Sequence, residues 1–239
     1  SEILIGGNFR KHIYFWIGVG HNGKSMLLSL LDLLLGPLSI KLPTALITGK
    51  RTQSSSANPE LIRTSGVRLA TFVEPDGYEC FNVGIMKELS GNDQIYARGL
   101  FQNGQEITPQ FKMVVVCNVT PKISGSNEQA IWNRIIIIPF ESVFLLSGAP
   151  ETRDEQLLEK KFPMDLNFNS KLASMVQPLL WLLIEKYKGN RGRYLTPSKV
   201  QRANELYKDR SDLYNQFIKE TIEEVHDPTA KLGLEDAFL

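Results

Sequence analysis

The chain has 239 residues, enough for one large domain or a domain with an appendage. Its 27 basic and 26 acidic side chains leave a net charge of +1, so any nucleic-acid binding has to come from a local patch and not from bulk charge. Cys80 and Cys117 are the only cysteines and form no C-x-x-C, which argues against a zinc finger or a disulfide framework, and no apolar run is long enough for a membrane-spanning helix. The expectation is an intracellular protein, and the strand pattern that begins by Ile13 suggests a piece of a longer chain.

After a lead-in over residues 1–12, His12–Ile17 reads as a buried strand. It runs into Gly18-Val19-Gly20-His21-Asn22-Gly23-Lys24-Ser25, and a leucine-rich helix over Ser25–Leu35 follows, stopped by Gly36-Pro37. This is the Walker A spacing, G-x-x-x-x-G-K-S, in the strand–loop–helix context that it requires. Glycines let backbone N–H groups turn inward to phosphates, and the helix N-terminus adds partial positive charge. Lys24 is expected to reach the β- and γ-phosphates and Ser25 to ligate Mg²⁺. His21 occupies a variable position of the motif and receives no role; the leucines at 27–35 are core packing.

Residues 38–57 are mixed, and Pro59–Thr64 suits a short helix. Val67–Val73 is a second apolar strand and leads into Glu74-Pro75-Asp76, the Walker B pattern, in which the acid holds Mg²⁺ or polarises the attacking water. Glu74 is the stronger candidate and Asp76 the assistant. Val83–Leu89 reads as a helix. Ile95–Phe101 and Glu106–Phe111 flank Gln102-Asn103-Gly104-Gln105, a hairpin signal. Lys112–Cys117 is a third buried strand, ending at Asn118; Asn127–Trp132 suits a helical turn, and Ile135–Pro139 is a fourth strand behind Arg134. Asn118 ends a strand, where asparagine often does no more than turn the chain. Arg134 reads equally as a charge at a strand edge, and Cys117 as a small core residue. Four buried strands with crossovers predict a mainly parallel α/β sheet over residues 1–150. Beyond it, residues 151–226 form a helical region: Glu151–Phe162, then Ser170–Tyr187 with Pro178 inside, a basic linker at 186–193, and an amphipathic stretch over Pro197–Val225. Residues 227–239 read as a tail, the start of a further domain.

Several of these stations together resemble a superfamily-3 helicase, an AAA+-like P-loop NTPase, and most of all the primase–helicases of large DNA viruses (poxvirus-, mimivirus- and asfarvirus-like) and related phage proteins. The residues that carry the likeness are GVGHNGKS at 18–25, RLATFVEPD at 68–76, KELSGNDQIYARGLF at 87–101, FKMVVVCN at 111–118 and AIWNRIIIIPF at 130–140. It covers roughly residues 3–140, and 197–225 more loosely through Leu206-Tyr207 and Ser211-Asp212 before Phe217. The resemblance implies ATP and Mg²⁺ as cofactors, with Gly18–Ser25 around the phosphates and Ser25, Glu74 and Asp76 at the metal. It makes Asn118 the polar sensor of the lytic water and Arg134 an arginine finger that reaches a neighbouring subunit's nucleotide. It also implies a hexameric ring on single-stranded or forked DNA, an N-terminal primase part of the same polypeptide, no membrane association, and action at a viral replication site in the host cell. In such proteins the hairpin grips DNA. Here its tip is neutral to acidic, so the candidates are Arg98, Phe101 and Lys112, with Phe101 either stacking on a base or packing within the hairpin. A P-loop NTPase of another class, a phosphotransferase or a nucleotide-gated oligomerisation module, is the alternative.

Overall fold

The structure, a computed structural model, describes residues 2–49, 57–73, 80–120, 122–123, 129–190 and 193–211. β1 (Ile13–Ile17) is an aromatic and β-branched string, suited to a pleated surface buried on both faces. A glycine loop carries it into α1 (Lys24–Leu35), which ends at Gly36 in the left-handed half of backbone space, φ 51°. Next come β2 (Ser39–Leu42), α2 (Ala45–Thr48), α3 (Pro59–Ile62) and β3 (Leu69–Val73). They are followed by β4 (Cys80–Phe81), α4 (Val83–Ser90), the hairpin strands β5 (Ile95–Arg98) and β6 (Gly104–Ile107), and β7 (Lys112–Cys117). β8 (Lys122–Ile123), α5 (Gln129–Trp132) and β9 (Ile135–Pro139) complete the central part. After these the chain forms β10 (Val143–Leu145), α6 (Arg153–Glu159), β11 (Lys161–Pro163), α7 (Phe168–Asn190) and α8 (Ser198–Ser211).

Five strands make one sheet in the order β2-β3-β7-β1-β9, with every pairing parallel. The expected α/β P-loop architecture is therefore present, with β1 between β7 and β9. Side chains alternate between two cores. Ile13, Phe15, Phe72, Met113, Val115 and Ile137 face one, shared with α4 and the hairpin; Trp16, Val114 and Val116 face the other, shared with Leu28, Leu31 and Leu35 of α1 and Leu179 of α7. α7 packs on α1, and α8 packs along β9 at the sheet edge. There Asn204 Oδ1 accepts a hydrogen bond of 2.7 Å from Ile137 N, an N–H on the outer strand of the sheet among the described residues.

The structure departs from the sequence reading at several points. β2 was hidden in the mixed stretch: an edge strand of four residues with Lys41 pointing to solvent shows alternation and no apolar run. The helix expected over Glu151–Phe162 is only α6, started by a Thr152/Glu155 capping box and ended by Lys160 at φ 57°. The chain then pairs β11 with β10, and Phe162 lies against Phe144, ring centroids 5.7 Å apart. α7 continues through Pro178 to Asn190, so Lys186 and Lys188 are helical residues and not part of a linker.

The hairpin is shifted as well. Arg98 pairs with Gly104, so the connection is residues 99–103, with Phe101 inside it, and Asn103-Gly104 is not its turn. Gly104 serves close approach: a Cβ there would run into the Tyr96 ring. Lys112 requires a correction. It is buried at the start of β7, and its ammonium donates to Ile5 O at 2.8 Å and Gly7 O at 2.5 Å, with burial lowering its pKa. That charge holds the N-terminal lead-in onto the sheet and is not presented to a nucleic acid.

Candidate active site

The site lies where parallel α/β sheets bind ligands, beyond the carboxyl ends of the strands. As β1 ends, Gly18 N donates to Cys117 O of β7 at 3.3 Å. Gly18 has no room for a side chain, because a Cβ would strike Asn22 and the Phe140 carbonyl. His21 at φ 57° and Gly23 at φ 84° then turn the backbone through left-handed conformations and deliver it to α1. Gly23 offers no side chain to cap α1, and the positive end of the helix faces the loop, where Asn22 Oδ1 accepts from Lys24 N. Lys24, the first residue of α1, is 6% exposed, and its ammonium curls back to donate to Gly18 O. Ser25 stands exposed on the first turn, and Val19 is exposed on the loop. The arrangement is a glycine-bearing turn at a helix N-terminus with one buried cation beside it, of a kind suited to the phosphates of a nucleotide.

The neighbouring strands fix what stands beside this loop. Ile17 pairs with Cys117, so Asn118 comes abreast of Gly18, exposed at the strand end. Burial pushes the Cys117 thiol up to about 12, which leaves it a protonated core residue. Val73, the last residue of β3, pairs with Val116. Glu74 and Asp76, expected at this strand end, lie outside the described residues.

Arg134 is somewhere else. Ile135 pairs with Ile13, and Ile13 N donates to Arg134 O at 2.7 Å, so Arg134 flanks the start of β1. The loop begins five residues further on, at Gly18, about 16 Å along the strand at the usual rise. Arg134 Nε is buried without a hydrogen-bond partner among the described residues. Within one chain the structure thus brings together Gly18–Ser25 and Asn118 and holds Arg134 at the opposite end of the sheet. On the hairpin, Arg98 is exposed, and Phe101 is fully exposed at φ 56°, an unusual conformation for a bulky side chain.

A brace around the loop escaped the sequence reading. The segment after β9 lies against it: Phe144 N donates to His21 O at 2.8 Å, and the Phe144 ring lies 3.3 Å from where a Gly23 Cβ would be. Asn22 ties the two together; its Oδ1 accepts from Lys24 N at 3.4 Å and its Nδ2 donates to Phe140 O at 3.5 Å. Nothing local marks Phe140 or Phe144, since the contacts join residues more than a hundred positions apart.

No protein-family model matches the chain. Over its whole length it is 37% identical to "Putative helicase 022R" of Frog virus 3 and 32% identical to "Putative helicase L207/L206" of Acanthamoeba polyphaga mimivirus. Over 97% of its length it is 25% identical to "Putative primase C962R" of an African swine fever virus isolate. The chain spans 24–25% of the length of these relatives. No helix among the described residues is long and apolar enough to cross a membrane.

Proposed function

The chain belongs to the helicase–primase family of large DNA viruses that these relatives represent, and from that premise we propose that it is the ATP-driven motor domain of a replicative DNA helicase, of the superfamily-3, AAA+-like kind. The observation that carries this reading is the division of the sheet: a phosphate loop with Lys24 and Asn118 at one end and Arg134 at the other. A site split in this way is complete only between two subunits, and head-to-tail contacts that close make a ring. The reading assigns ATP to Gly18–Ser25, Mg²⁺ to Ser25 with Glu74 and Asp76, the lytic water to Asn118, and DNA to the channel of a hexamer. The share of the relatives' length that the chain spans supports a primase part of the same polypeptide ahead of the motor, at work where viral DNA is replicated in the host cell.

The direct test uses the full-length protein. Strand displacement on a forked duplex should require ATP and Mg²⁺, and light scattering should register a ring when a non-hydrolysable ATP analogue is added. A monomer that transfers phosphate to a small acceptor without DNA would place it in a different class of P-loop enzyme.

Two further outcomes follow from the assignments. Glu74→Gln preserves shape and removes the charge that polarises water, so it should bind ATP and lose hydrolysis by about 10²–10⁴-fold. Single-turnover measurement on Glu74→Gln and Asp76→Asn decides between the two acids: full activity in the first with loss in the second moves the role to Asp76. At the hairpin, an exposed aromatic ring is a platform for an unstacked base, so Phe101→Ala should weaken single-stranded DNA binding about tenfold or more. DNA-free ATP hydrolysis should not change. Equal anisotropy titrations for Phe101→Ala and the parent would leave Phe101 an exposed loop residue with no part in DNA binding.

A further inference from the structure

The lead-in over residues 2–12 touches both the hairpin and the strand start that carries Arg134. The hairpin, β5 and β6, has its roots in the segments 91–94 and 108–111. On the outgoing root, Gly7 N donates to Gln110 O at 2.8 Å. On the incoming root the bonding is reciprocal: Asn8 N donates to Asn92 Oδ1 at 2.7 Å, and Asn92 Nδ2 donates to Asn8 O at 2.9 Å. The Asn8 side chain then bridges onward, its Nδ2 donating to His12 O at 2.9 Å. The next residue, Ile13, donates from N to Arg134 O at 2.7 Å. We propose that Asn8 and Asn92 are positioning residues that tie the hairpin root to the backbone of Arg134, so that DNA held by the hairpin sets where the arginine stands; the inference rests on the DNA-binding reading of the hairpin and the finger reading of Arg134.

Three observations carry it. The first is continuity: every link from Asn92 to Arg134 is a hydrogen bond or a step between successive residues. The lead-in has little slack along the way, because the Lys112 ammonium holds Ile5 O and Gly7 O, and Arg68 donates to Leu4 O. The second is burial. Asn8 is 3% exposed, and a buried amide is costly unless its bonds are made. Here they are made, with Nδ2 donating also to Ser90 O at 3.5 Å. A segment that only covered the sheet could place an apolar side chain there. Asn92 meets Asn8 from a left-handed backbone, φ 63°, which asparagine adopts more readily than most residues. The third is that Arg134 depends on its backbone for its placement. No acceptor among the described residues meets its buried Nε. Its main chain is held on both sides, by Ile131 O, which accepts from Arg134 N at 2.9 Å, and by Ile13 N. A shift of residues 8–13 therefore carries the arginine with it.

The test measures ATP hydrolysis by the full-length protein with and without saturating single-stranded DNA. Asn92→Gly removes the side chain and keeps a residue suited to φ 63°. Asn8→Ala cuts the onward bond to His12 and leaves the backbone bonds to Asn92. Each should keep DNA affinity and DNA-free hydrolysis within about twofold of the parent and lower the DNA-stimulated rate about threefold or more, the scale on which residues between two coupled sites act. Thermal melting checks folding; if the buried Asn8→Ala protein does not fold, Asn92→Gly decides alone. A double-mutant cycle supplies a readout that a purely structural role would not give. In a Phe101→Ala background, where the hairpin has lost its exposed ring, Asn92→Gly should lower the stimulated rate no further. The inference is overturned if both variants respond to DNA as the parent does, if stimulated and DNA-free hydrolysis fall in the same proportion, or if the losses from Asn92→Gly and Phe101→Ala simply multiply. A parent whose hydrolysis ignores DNA, or an Arg134→Ala protein that hydrolyses ATP normally, refutes the underlying reading and takes the inference with it. A stimulated parent with unaltered asparagine variants refutes the inference alone.

Discussion

Replacing Lys24 by Ala should stop ATP hydrolysis and weaken nucleotide binding. Lys24 stands at the head of α1, 6% exposed, and its ammonium donates to Gly18 O in the loop. A charge in a water-poor site acts at low effective dielectric, where its effect on developing phosphoryl charge is far greater than in water. Removing one preorganised donor from such a site costs about 10²–10³-fold in turnover, and a full cation between the β- and γ-phosphates should cost at least that. Binding should fall as well, because the same cation meets the ground-state phosphates. Folding should not suffer: α1 is anchored by Leu28, Leu31 and Leu35, and the exchange leaves a good helix former at its first position. Steady-state ATPase assays check the first expectation and thermal melting of the ligand-free protein checks the last. A Lys24→Ala protein that melts like the parent and hydrolyses ATP like the parent would remove the loop from the mechanism. A Lys24→Arg variant refines the result, since a guanidinium restores charge without the compact ammonium and should recover binding more than turnover.

Which parts of this site could be read in advance follows from where each residue's partners are. β1, β3, β7 and β9 are legible because parallel strands covered on both faces must be apolar at almost every position, and Lys112–Cys117 is buried throughout. The loop between β1 and α1 is legible because its chemistry is local: the glycines, Lys24 and Ser25 fall within eight residues. β2 was not, since an edge strand with one exposed lysine looks like any polar stretch. Lys112 was misread for a related reason. A lysine at a strand start ordinarily faces water, and the carbonyls that hold it, Ile5 and Gly7, are more than a hundred residues away. The hairpin turn went astray because Asn103-Gly104 carries a strong local signal, whereas Gly104 lies within β6, where it pairs with Arg98 and the Tyr96 ring comes close to it. The brace from Phe140 and Phe144 has no local signature of any kind. Placements that depend on neighbours in sequence were therefore legible, and those that depend on contacts across the fold were not.

Arg134→Ala should leave nucleotide binding by a single subunit nearly intact and strip hydrolysis from the assembly, by about 10³–10⁵-fold if it behaves as arginine fingers do. The geometry narrows how this can happen. Arg134 flanks the start of β1, and Lys24 follows its end, so the two are separated by the length of the strand, about 16 Å, more than an arginine side chain reaches. Arg134 cannot serve the phosphate loop of its own chain; if it meets a nucleotide, the nucleotide is a neighbour's. Its guanidinium is suited to that task, because the charge is permanent and the planar fork matches phosphoryl oxygens. Strand pairing fixes its backbone, and no acceptor among the described residues meets its buried Nε. Mixing two inactive proteins decides the matter. A Glu74→Gln subunit keeps its finger and cannot cleave; an Arg134→Ala subunit can cleave and has no finger to lend. In a randomly mixed ring at equal ratio, about one quarter of the head-to-tail interfaces pair an intact Glu74 with an intact Arg134, so ATPase activity should rise from near zero to about a quarter of the parent's. Native mass spectrometry confirms that mixed rings form. If they form and no activity returns at any ratio, the finger does not act between subunits; if Arg134→Ala hydrolyses ATP normally by itself, the residue is a charge at a strand edge and the subunit boundary must obtain its cation elsewhere.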